Sequence, residues 1–158
     1  MHIKVIGGSK DHRHAIRLTL TWCAARLFTK KMSSNIEVLV VIKDLKEYGN
    51  CTWEDDNLRP REFAIEVRKG LTQRIFIRTL IHEMVHVRQY ALRQLKELYK
   101  GGHRVLWKNR DYTDANYDDM PHEREAMRLE KRWYKDLIKE VDFSGVSITP
   151  TRKKRKKN

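Results

Sequence analysis

The chain has 158 residues, 40% of them hydrophobic and 35% charged, with 34 basic against 21 acidic side chains and a formal charge of +13. That length and apolar share suit one small domain with a single core. No run approaches the roughly 18 apolar residues of a membrane-spanning helix, and no basic segment leads into an apolar stretch at the start, so neither a membrane protein nor a signal peptide is expected. Cys23 and Cys51 fit no CxxC spacing, which argues against a disulfide scaffold and leaves a cytoplasmic monomer with two idle thiols as the expectation.

In chain order, Met1 to Ile6 alternates like a first strand and ends at Gly7-Gly8. A helix is predicted from about Asp11 to Lys30, where Ala15, Ile16, Leu20, Cys23 and Leu27 recur at helical period behind Ser9 or Asp11 as cap. Ile36 to Ile42 is β-branched and almost continuously apolar, the pattern of an interior strand. Cys51 to Trp53 and Glu62 to Arg68 follow as strands. In the second, Phe63, Ile65 and Val67 alternate with charged neighbours, which predicts one face in solvent and a place at the sheet edge, with unpaired backbone groups to hold a substrate in extended form. The stretch from Leu71 to Tyr99 has no Gly or Pro and carries an apolar stripe of Ile77, Leu80, Ile81, Met84 and Val85, predicting a helix closed by Gly101-Gly102. A hairpin is predicted from Arg104 to Trp107 and Arg110 to Tyr112 about Lys108-Asn109, and a last helix from Pro121 to about Val141.

The elements predict an α+β domain over residues 1–141, a small mixed or antiparallel sheet packed on the Leu71 helix with flanking helices. Residues 142–158 read as an extended tail. Its last eight residues hold six of the 34 basic side chains and no acid, leaving residues 1–150 with 28 basic against 21 acidic, a net +7. Arg152, Lys153, Lys154, Arg155, Lys156 and Lys157 form a block that cannot bury apolar surface. It is expected to be disordered and suited to non-specific contact with nucleic acid or another polyanion.

The chemistry concentrates in His82-Glu83-Met84-Val85-His86. Histidines four apart on a helix share a face one turn apart and can converge on one metal ion, while the glutamate between them sits where it can act as general base toward an attacking water. A catalytic zinc ion takes three protein ligands and keeps one position open, so a third donor must come from elsewhere in the chain. An oxyanion donor is also wanted, and Tyr112, Tyr117, His103 and Arg88 are candidates that the sequence does not rank.

This HExxH helix, together with Val85 to Tyr90, Trp107 to Tyr112 and the helix opening Pro121-His122-Glu123-Arg124-Glu125-Ala126, resembles compact zincin-type metallopeptidases of the gluzincin kind, and is similar to small phage-encoded ones. The likeness spans roughly residues 60 to 135, and HExxH is its specific part. It implies a zincin-like fold, one Zn2+ ion, a peptide or protein substrate, His82 and His86 as ligands and Glu83 as base. In such enzymes the third ligand is a downstream glutamate, often within Glu-x-x-Ala, which Glu123 matches; Glu125 lies beside it. A rival resemblance is to SprT-like peptidases, which act on DNA-bound proteins and take a third histidine as ligand; His103 would fill that place. From another class comes a basic, nucleic-acid-associated protein whose metal site has no turnover, in which Glu83 would have no role.

Overall fold

Apolar side chains at every second position build the central layer of the protein. The computed structural model describes residues 1–100 and 102–150, and places β1 (His2–Ile6), β2 (Glu37–Lys43), β3 (Gly49–Trp53) and β4 (Glu62–Arg68) in one mixed sheet of order β1-β2-β4-β3. β1, β2 and β4 run parallel, and β3 returns antiparallel to β4. Register aligns Val38 with Phe63, Val40 with Ile65 and Ile42 with Val67. These six side chains make the floor of the core, none more than 6% exposed. Interior placement of β2 follows the expectation from its apolar run.

β4 does not lie at the edge as its alternation suggested. It pairs on both sides, and the edges are β1 and β3. Its charged face is satisfied within the sheet, because the Glu66 carboxylate pairs with Lys43 and accepts from Asn50 Nδ2. Alternation reports one exposed face, which an interior strand of a one-sided sheet shares with an edge strand.

Two helices cover the apolar face. α1 (Lys10–Leu27) starts at a capping box in which Ser9 accepts from the His12 amide, and buries Ala15, Ile16, Leu20 and Cys23. The helix expected to reach Lys30 stops earlier: Phe28 is extended, and Thr29 caps a separate short helix α2 (Lys30–Ser34). α3 (Gln73–Ala91) carries the HExxH motif and is capped by Thr72. It ends ten residues before the expected Gly101-Gly102 stop, although no glycine marks the place. Arg93 takes a left-handed φ of 56° there, and the Gln94 amide donates back to the Gln89 carbonyl. Leu95 is then buried in β5 (Leu95–Leu98), so strand pairing and burial override the helical reading of this stretch.

β5 joins β6 (Arg104–Trp107) and β7 (Arg110–Asp111) in a small antiparallel sheet. Lys108 and Asn109 have φ of 49° and 66°, as a two-residue hairpin turn of matching twist requires. α4 (Pro121–Glu140) begins with proline in its first turn, where the missing amide hydrogen costs nothing, and ends as expected. It packs antiparallel along α3, with which it shares the contacts described below. Residues 142–150, expected to be part of an extended tail, lie against the starts of α1 and α3: Val146 and Ile148 are buried, and the amides of Ser147 and Ile148 donate to Asp11 Oδ2 and Gln73 Oε1. The basic run Arg152 to Lys157 lies outside the described residues. Among those described, no helix is long and apolar enough to cross a membrane.

Candidate metal centre

α3 is enclosed on three sides, and its residues sort by the direction they face. Phe76, Ile77, Leu80, Ile81, Met84 and Val87 enter the core. Along the side facing α4 runs a polar seam spaced by helical turns. The Arg74 guanidinium lies 5.9 Å over the Tyr134 ring, Arg78 pairs with Glu130 at 2.6 Å, and His82, His86 and Gln89 continue the line. The third side meets the edge strand β3 and carries Glu83.

Within the seam, His82, His86 and Glu123 converge. His82 Nε2 and His86 Nε2 are 3.1 Å apart, His82 Nε2 is 3.3 Å from Glu123 Oε2, and His86 Nε2 is 3.5 Å from Glu123 Oε1. Donors bonded tetrahedrally to one ion at about 2.1 Å lie about 3.4 Å from one another, so these separations suit a shared metal ion. Both imidazoles and the carboxylate are nearly buried, with side-chain exposures of 14%, 8% and 11%. This His-His-Glu group could hold a metal ion.

Each donor is fixed from behind. His82 Nδ1 lies 3.1 Å from Glu130 Oε2, and His86 Nδ1 lies 2.7 Å from Gln89 Oε1. The Tyr117 hydroxyl donates to Glu123 Oε2 at 2.6 Å. Charge accumulates accordingly. Burial alone would lower the His82 pKa, but its hydrogen bonds to Glu123 and Glu130 outweigh burial and raise it to about 10. Burial likewise pushes Glu123 up, and hydrogen bonds from His82 and His86 reverse this, holding the carboxyl well below the usual carboxylate range. Carboxylates thus surround the two histidines and favour positive charge at the centre.

Glu83 stands beside the group without joining it. It is 4% exposed, and a Cβ on Gly49 of β3 would come within 3.0 Å of its Oε1 and 2.6 Å of Thr79 Cγ2. Only glycine lets the edge strand approach this closely. Burial raises the Glu83 pKa, opposed by His86 and His82. The centre opens into a cleft of about 770 Å³ whose walls include Tyr48, Gly49 and Cys51 on the β3 side and Met127 on α4. Cys51, expected idle, is half-buried on that wall, and burial followed by the nearby Glu83 charge pushes its thiol pKa up.

Of the other sequence candidates, Tyr117 lies at the centre and Tyr112 does not line the cleft. His103 is brought to Glu97 at 3.0 Å and stacks on Tyr99, so it is not gathered with His82 and His86. Arg88 faces Glu125 at 3.7 Å. His122, turned about 100° from its neighbour Glu123 on the helix, is 6% exposed and lines the cleft, its ring 5.9 Å from that of His86 and 6.2 Å from Trp107. With the Trp107 ring of β6 beside it, that turn from Glu123 does not bring His122 to solvent. Gln89, Glu130 and Gly49 were not singled out from sequence. Gln89 continues the His82-His86 spacing and Glu130 lies two turns beyond Glu123, whereas nothing local marked Gly49. No protein-family model matches the chain, and neither does any curated protein or solved structure.

Proposed function

We propose that this protein is a zinc-dependent metallopeptidase in which His82, His86 and Glu123 hold the ion and Glu83 acts as general base. The observation that carries the reading is the arrangement of four side chains: three donors at mutual distances suited to one ion, and a fourth, Glu83, whose carboxyl is buried beside them and faces the cleft. Two imidazoles and a carboxylate are a donor set suited to catalytic zinc. Bound there, the ion supplies a Lewis acid that polarises a carbonyl and lowers the pKa of water.

The chain's own groups do the rest. Glu83 takes the proton of the attacking water and passes it to the departing amine, a role its buried place beside the three donors and facing the cleft allows. His122 borders the centre as a hydrogen-bond donor for the carbonyl oxygen as negative charge develops on it, and Tyr117 becomes a second donor when its hydroxyl turns from Glu123. β3 offers an unpaired strand edge along the cleft, on which an extended peptide can lie. The likeness to gluzincins rests on the same residues, His82 to His86 and Glu123 to Ala126. A SprT-like ligand set is less favoured because His103 pairs with Glu97.

Metal analysis of the purified chain, paired with cleavage of a proteome-derived peptide library, tests the proposal. One zinc per chain and cuts abolished by chelation are expected. Stoichiometric zinc with no cleavage would support a metal site without turnover.

A further inference from the structure

We propose that Gln89, locked by α4, fixes the tautomer and orientation of His86 and is a positioning residue of the metal centre. The inference rests on the metal-binding reading above. Gln89 is completely buried. Its Nε2 donates to the His122 carbonyl at 3.0 Å and to Glu125 Oε2 at 2.9 Å, while its Oε1 lies 2.7 Å from His86 Nδ1. A carbonyl and a carboxylate only accept, so the amide cannot flip without setting oxygen against oxygen twice in a buried place. With Oε1 so placed, the His86 contact requires a proton on Nδ1, and the Nε2 lone pair is left facing His82 and Glu123.

The contrast with His82 is chemical. A carboxylate, Glu130, sets that ring, whereas a neutral amide sets His86. A carboxylate at position 89 would oppose Glu125 at hydrogen-bond distance. The neutral side chain therefore serves both neighbours. It also ties His86 to the first turn of α4, which carries Glu123, so two of the three donors are held in register by one amide.

The test uses zinc affinity of the full chain by chelator competition, together with the 15N shifts of the His86 ring. Gln89→Leu keeps the volume and removes the contacts, and is expected to weaken zinc binding about 10- to 100-fold. Gln89→Glu is expected to weaken it as well, and adding Glu125→Gln to that variant to restore part of the affinity, since the introduced amide can donate to the introduced carboxylate while the His122 carbonyl still faces an oxygen. A parent chain with a proton on His86 Nδ1 both with and without zinc fits the proposal. It is overturned if Gln89→Leu binds zinc within about threefold of the parent, if the second substitution rescues nothing, or if the His86 proton sits on Nε2 alone. Should the parent bind no zinc, the metal reading fails, and the Nδ1 proton still decides what Gln89 does.

Discussion

Two faces of α3, built from the same nineteen residues, are held by different physics. The face carrying Ile77, Leu80, Ile81 and Met84 is packed wholly within the core. It depends on volume, and apolar neighbours of similar shape could replace one another there. The face carrying Arg78, His82, His86 and Gln89 is also largely buried but is held by directed polar contacts, to Glu130, Glu123 and Glu125 of α4 and between His86 and Gln89. Burying that many polar groups costs stability unless every one is paired. One side of the helix thus carries converging donors that could hold a metal ion, where the other carries only core.

Breaking each face should therefore damage a different property. His86→Ala, or equally His82→Ala or Glu123→Ala, is expected to remove stoichiometric zinc, with affinity falling more than about 100-fold, beyond the effect of losing a supporting contact. Leu80→Ala, on the other face, is expected to cost about 3 kcal/mol of stability by leaving a cavity, with zinc affinity of the folded chain nearly unchanged. Denaturant titration and chelator competition on the same variants separate the two. If Leu80→Ala lost zinc as severely as His86→Ala while still folded, the division between faces would be wrong.

A finer test lies on the third side of the helix. Gly49→Ala places a methyl group 2.6 Å from Thr79 Cγ2 and 3.0 Å from Glu83 Oε1, so β3 or Glu83 must shift. About 1–3 kcal/mol of destabilisation is expected from overpacking, with peptide cleavage reduced and zinc retained; unchanged cleavage would show that Glu83 tolerates displacement. The smallest effect concerns the basic run. Truncation after Pro150 is expected to weaken nucleic-acid binding at low salt and flatten its salt dependence, because phosphate attraction is a counterion effect. Zinc content and cleavage should not change, and equal nucleic-acid binding by the truncated chain would make Arg152 to Lys157 bystanders.

How far the sequence discloses this arrangement depends on whether the signal is local. Helical period placed His82 and His86 together, proline placed the start of α4, and Lys108-Asn109 placed the hairpin turn, because each is decided within a few residues. The end of α3 was not legible, since Arg93 adopts a conformation usually left to glycine, and the pairing of Leu95 with Trp107 across the small sheet decides the matter. Sheet order was hidden for a similar reason: β4 alternates like an edge strand, and only the return of β3 makes it interior. Gly49 carried no local signal and acts as a spacer for Glu83. Glu123 was legible only through resemblance, and Gln89 and Glu130 only once α3 and α4 were set side by side.

In the proposed mechanism Glu83 acts on the reacting water while three other side chains hold the metal. Glu83→Gln tests it most directly, because the amide preserves shape and loses the base. Measured together by metal analysis, thermal denaturation and cleavage of the best library peptide, the variant is expected to keep one zinc per chain and the parent's unfolding temperature while losing cleavage by at least about 100-fold, the lower range for loss of a general base. Loss of zinc in this variant, or cleavage near the parent rate with zinc in place, would contradict it.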